Sequence, residues 1–105
     1  MENQTLIALY TTMLTIRRFE ERVAAEFYAG NLFGFVHSYI GQEAIATGVC
    51  KHLDREDRIV SHHRGHGHCI AKGADLKRMM AEIQGKKTGY CKGKGGSMHL
   101  ADKEH

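Results

Sequence analysis

The residues best equipped for chemistry sit together at 61–73, SHHRGHGHCIAKG. There His62, His63, Arg64, His66 and His68 fall within seven positions, with Gly65 and Gly67 between them. Imidazoles can donate, accept or ligate, and a guanidinium offers a fixed fork of donors that matches phosphate oxygens. Glycine lets backbone approach a ligand closely. A phosphate or cofactor site is one reading of this set, and a metal site is another. His62 and His66 are four apart, with His68 and Cys69 nearby, a spacing that shares a metal when it lies on one helical face. Against it, Gly65 and Gly67 disfavour a helix through 62–68, and there is no glutamate in an HExxH setting. His37 follows the apolar run 32–36 and fits a satisfied core residue as well as a reactive one.

Two glycine-rich stretches invite a nucleotide reading, and neither supports it. Within 85–97 no GxxxxGK[ST] aligns, and 93–98 (GKGGSM) lacks the last glycine of GxGxxG. Lys86, Lys87, Lys92 and Lys94 surround a single aromatic, Tyr90. A solvated lysine loop therefore explains them better than a nucleic-acid surface, which interleaves charges with stacking rings.

The elements that must position these groups follow from patterning. Leu6, Leu9, Met13, Ile16, Val23 and Phe27 form an apolar stripe that predicts a helix over 4–29. Arg17, Arg18, Glu20, Glu21, Arg22 and Glu26 fill much of its remaining surface, and Gly30-Asn31 ends it. A second helix is expected over 42–52, burying Ala44, Ile45, Val49 and Cys50. A strand is expected at 58–62, then a short helix after Gly65 ending at Gly73. Asp75 would cap a helix over 76–84 with Leu76, Met79, Met80 and Ile83 on one side. Residues 85–96 read as loop, and 97–100 as extended. This order fits the start of an α/β domain, mostly helical and incomplete, with 1–105 as part of a single domain.

Composition narrows the class. The chain has 105 residues, 42% hydrophobic and 26% charged, with net charge +3, which is globular and too mildly basic to indicate nucleic acid. No run is long enough for a membrane span and MENQTLIALY lacks signal-peptide order, so a cytoplasmic location and no membrane partner are expected. Cys50, Cys69 and Cys91 are odd in number and widely spaced, which argues for reduced thiols. Twelve of fifteen basic residues and seven of eight histidines lie after residue 50, where an anionic ligand would be welcome.

Four segments carry a resemblance: FGFVHSYIGQEA (33–44), SHHRGHG (61–67), MAEIQGKKTG (80–89) and GKGGSMH (93–99). In this order and spacing they resemble the N-terminal third of the alpha subunit of thiamine diphosphate-dependent 2-oxo acid dehydrogenases, the decarboxylating component of the pyruvate, branched-chain and acetoin complexes. The resemblance runs from about Leu9 to the end. It implies a thiamin diphosphate-binding fold, a parallel sheet flanked by helices. It also implies that His37 faces the substrate end of thiamine diphosphate and that Arg64 binds the diphosphate. His63 stands where the pyruvate enzymes usually have tyrosine, a departure that resembles the acetoin branch. His66 and His99 match recurrent histidines, expected to order loops and line the site. Gln42 and Glu43 are expected to be structural.

The same resemblance implies magnesium, its ligands in a GDG segment beyond residue 105. It implies a beta subunit in an alpha2-beta2 assembly and a lipoyl domain that receives the product on lipoamide. The fragment alone is then expected to be inactive. The alternative is a non-catalytic anion- or metal-binding module built on the histidines at 62–68, and a further one is a remnant that does not fold alone.

Overall fold

The computed structural model describes residues 1–32 and 34–104. Phe33, which opens the first of the four motifs, and His105 lie outside the described residues. Four helices follow one another: α1 (Asn3–Tyr28), α2 (Glu43–Cys50), α3 (His66–Lys72) and α4 (Leu76–Ile83). The 26 residues of α1 span about 39 Å at ~1.5 Å per residue, and they set the 42 Å long dimension of the molecule. Helices α1, α2 and α3 pack on one another in all three pairings.

The core follows from the α1 stripe. Ile16, Phe19 and Val23 are buried against Tyr39, Ala46 of α2 and Ile70 of α3, with Met79 and Ile83 of α4 completing the cluster. Leu9 and Met13 are half-buried, whereas Leu6 and Phe27 at the ends of the stripe remain exposed. Helix α3 reaches Tyr39 so closely that a Cβ on Gly67 would overlap the tyrosine ring. The glycine is thus required by a close approach. Gly73 closes α3 at φ +109°, with its N–H on the Ile70 carbonyl, a left-handed cap that a side chain would strain. Asp75 caps α4, its carboxylate accepting the Lys77 and Arg78 N–H groups at 2.8 and 3.4 Å.

Three expectations are corrected. The strand at 58–62 is absent, and among the described residues there is no strand at all. A strand needs a ladder partner; here Val60 is 100% exposed, and among the described residues no backbone hydrogen bond joins 58–62 to another segment. The sheet of the expected α/β fold is therefore not built by these residues, which are helical. Helix α2 is shorter than 42–52 and turns a different face inward. Glu43, Ala46 and Thr47 are buried, while Ile45 and Val49 are 62% and 58% exposed. The ion pair from Arg17 Nε to Glu43 Oε2 at 2.8 Å, with the Gly41 N–H donating to the same carboxylate, fixes that rotation. Lastly, 97–100 is not extended but begins in a turn, because Ser97 is held inward against His66 and Gly95 packs on the His99 carbonyl.

The loop at 85–96 has an internal organiser. Glu82, fully buried at the end of α4, accepts the N–H groups of Cys91 and Gly93 on one oxygen and of Gly95 and Gly96 on the other, at 2.6 to 3.0 Å.

Candidate functional site

The turn 61–65 delivers its side chains to a histidine ladder. The His37 and His63 rings meet edge to face at 5.2 Å, His63 and His62 lie 5.6 Å apart, and His62 and His68 lie 4.9 Å apart. Arg64 ties this turn to the segment bearing His37: its Nη1 donates to the Ser38 carbonyl at 2.7 Å, and its backbone N–H donates to His62 Nδ1 at 3.0 Å. His37 thus meets His63 and Arg64, 26 and 27 positions further along the chain. His37 is half-buried and its Nδ1 is a buried nitrogen without a hydrogen-bond partner. Such an atom is costly unless something supplies a bond.

Beside the ladder lies a cavity of about 1230 Å³ between the segment 55–65 and residues 97–104. His62, His63, His68 and His99 line it, with Arg55, Arg58, Lys72 and Lys103 opposed by Glu56, Asp57, Asp102 and Glu104. His37, Arg64 and His66 are not on its wall. His99 and His63 are exposed to it, whereas His66 is fully buried beneath. His66 thus sits among buried partners and off this cavity.

Its partners are groups that sequence reasoning missed. Glu20 was expected on the polar side of α1, yet it is 0% exposed. Its Oε1 accepts from His66 Nδ1 at 2.5 Å and its Oε2 from the Tyr39 N–H at 3.0 Å. His66 Nε2 stands 2.9 Å from Ser97 Oγ, which in turn accepts the His37 N–H at 3.2 Å. Phe19 packs edge to face on His66. A signal for Glu20 exists: it shares the i, i+3/i+4, i+7 face with Ile16, Phe19 and Val23, where a lone carboxylate demands a buried partner.

Electrostatics separate the histidines. Burial, reinforced by nearby His62, lowers His68 below the ordinary imidazole range, which favours its neutral form. Both its ring nitrogens are engaged, Nδ1 by Ser61 Oγ and Nε2 by the Tyr39 hydroxyl. Among the described residues no group of three histidine, cysteine or acidic side chains is arranged to hold a metal ion. The three cysteines are unpaired, and burial, with Asp102 and the other two thiols adding, pushes Cys69 up to about 11. This disfavours the thiolate, the nucleophilic form. Of the loop amides of 91–96, four donate to Glu82 and those of Lys92 and Lys94 to the Gly89 and Cys91 carbonyls, which leaves them unavailable to a phosphate.

The sequence model of the family described as dehydrogenase E1 component matches residues 11–105. The alpha subunit of acetoin:2,6-dichlorophenolindophenol oxidoreductase from Bacillus subtilis (strain 168) is 65% identical over 94 residues, 90% of this chain and 28% of that protein. Its counterpart from Cupriavidus necator is 57% identical over 102 residues, 97% of this chain and 31% of that protein. The chloroplastic pyruvate dehydrogenase E1 component subunit alpha-3 of Arabidopsis thaliana is 48% identical over 99 residues, 94% of this chain and 23% of that protein. The chain thus spans less than a third of the length of these relatives.

Proposed function

Because the chain belongs to the dehydrogenase E1 component family, we propose that it forms the N-terminal part of an alpha subunit that binds thiamine diphosphate and acts on acetoin or a 2-oxo acid such as pyruvate. Acetoin is favoured, since the acetoin relatives are 65% and 57% identical against 48% for the pyruvate relative. In this reading residues 1–105 are one portion of a single thiamine diphosphate-binding domain. The observation that carries it is that His63 meets the His37 ring and Arg64 holds the segment bearing His37, whose buried Nδ1 has no partner.

These residues fit the cofactor by chemistry. Arg64 spends one Nη1 bond on Ser38, which steadies the guanidinium and leaves further N–H donors for diphosphate oxygens. His63 adds an imidazole donor in place of a phenol. His37 can hold or take a proton at Nδ1 from a reacting group. The chemistry supplied by bound thiamine diphosphate is a carbon nucleophile toward the substrate carbonyl, while protein groups orient and exclude. Magnesium belongs to the same reading, held by residues outside these 105. So do a beta subunit in an alpha2-beta2 assembly, a lipoyl domain whose lipoamide accepts the two-carbon unit, and a cytoplasmic location. Among the described residues no helix is long and apolar enough to cross a membrane.

The test is calorimetric titration of thiamine diphosphate, with magnesium, into the full-length subunit assembled with its beta partner. Arg64→Lys should weaken binding by about tenfold or more, because a point charge cannot replace the fork. Unchanged affinity would show that Arg64 has another role. Turnover of pyruvate with none of acetoin would remove the acetoin preference.

A further inference from the structure

We propose that Glu20, His66 and Ser97 are positioning residues for His37: a buried chain of hydrogen bonds, anchored on α1, that fixes the backbone at 37–39 and so sets where the His37 imidazole points. The proposal rests on the reading of His37 given above. Its premise is a contrast. The His37 side chain has no polar anchor of its own, since Nδ1 is unpartnered and the ring touches His63 only edge to face. Its direction must therefore come from the backbone, and the backbone is held on both sides. The His37 N–H donates to Ser97 Oγ, and the Tyr39 N–H donates to Glu20 Oε2.

The chain between those two anchors is closed. Glu20 and His66 are 0% exposed and Ser97 is 8% exposed, so each polar atom needs a partner inside the protein. The Glu20 carboxylate can only accept, which places a proton on His66 Nδ1. Nε2 then accepts from the Ser97 hydroxyl at 2.9 Å, and the Ser97 lone pairs are left facing the His37 N–H. The Ser97 carbonyl also lies 3.2 Å from Nε2. If that ring nitrogen carries a proton as well, Oγ still accepts from His37. Four segments distant in sequence are joined at one point, and a displacement of about 1 Å in a reacting group can cost about 100-fold in rate.

A Glu–His–Ser series also invites a nucleophilic serine. Ser97 Oγ is committed instead to two bonds, one of them to the segment it would position, and this makes the series a brace.

The experiment has two arms. In the assembled dehydrogenase, Ser97→Ala should lower kcat by about tenfold or more while KM and the thiamine diphosphate Kd change by less than about threefold, and Ser97→Thr should restore most of the loss. In the same assembly, labelled selectively at histidine, nitrogen-15 NMR should show the His37 amide and ring signals displaced in Ser97→Ala and returned in Ser97→Thr. Ser97→Cys, which fills the site with a slightly larger group and weakens both bonds, repeats the readout should the alanine variant fold poorly. Unmoved His37 signals, an unchanged kcat, or failure of threonine to rescue overturns the proposal. Covalent labelling of Ser97 by a fluorophosphonate overturns it in favour of a nucleophile. If the unsubstituted assembly does not bind thiamine diphosphate, the functional reading falls, and the NMR arm still decides whether the brace exists.

Discussion

Gly67 shows how a single residue can be legible as a type and illegible as a reason. In the sequence it reads as a helix breaker inside a histidine cluster. In the fold it is the second residue of α3, and it is glycine because the Tyr39 ring occupies the space of a Cβ. Helix propensity alone would favour alanine there by about 1 kcal/mol, so the two effects have opposite signs and can be separated. Overpacking of a tight contact costs about 1–3 kcal/mol. Gly67→Ala should therefore lower the thermal midpoint by about 5 °C or more, and with it loosen the Tyr39 hydroxyl's contact to His68. A midpoint that stayed level or rose would mean that the ring moves aside easily. His37, His63 and Arg64 were visible as candidates through the motif resemblance. Glu20 and Ser97 were not, because their partners lie tens of residues away and no local spacing encodes them.

At the scale of elements, what sequence patterning resolves is what depends on neighbours along the chain. Helix α1 begins and ends one residue earlier than its stripe predicts, and the caps at Gly73 and Asp75 stand where the residue types place them. What depends on distant neighbours is lost. The inward face of α2 is chosen by Arg17, 26 positions away, and the segment 58–62 has strand composition without a strand beside it. The loop at 85–96 is the sharpest case, since its residues read as a solvated lysine loop, whereas four of its amides bind the protein's own buried carboxylate. Burial pushes the Glu82 carboxyl up, but the N–H groups of Gly93, Gly96, Cys91 and Gly95 together outweigh this and hold it below its ordinary value. Glu82→Gln would set an NH2 group against two of those donors. Unpaired buried donors cost about 1–3 kcal/mol each. Hydrogen exchange should then show the amides of 91–96 losing protection in Glu82→Gln while the core of α1 keeps its own. Equal protection in the variant would mean that the loop is ordered by something other than this carboxylate.

For the molecule as a whole, the buried carboxylates set its response to acid. Glu43 is 6% exposed, and the Arg17 guanidinium hydrogen-bonded to it holds it at about 2, against an ordinary value of 4.5, burial opposing and the Gly41 N–H assisting. Glu82 is shifted in the same direction. A carboxyl whose folded value lies below its unfolded one binds fewer protons in the folded state. Its contribution is complete above the unfolded value, about 4.5, and is lost as pH falls through the folded value. Both groups sit at joints: Glu43 holds α2 to α1, and Glu82 holds the glycine loop to α4. Acid should therefore dismantle the packing of elements before it touches the local hydrogen bonds of the 26-residue α1. Urea midpoints followed by circular dichroism should be nearly level from pH 7 to about 5.5 and then decline between about 4.5 and 2. Glu43→Gln keeps the side-chain volume and removes the titrating group, so it should start from a lower midpoint at pH 7 and decline less steeply over that window. Arg17 is partly exposed, at 46% of its side chain, and salt should lower the neutral-pH plateau of the parent protein while leaving that of Glu43→Gln almost unmoved. Identical slopes in the two proteins would show that Glu43 titrates in the folded state as it does in the unfolded chain, and the joint between α1 and α2 would then have to be held by its apolar contacts alone.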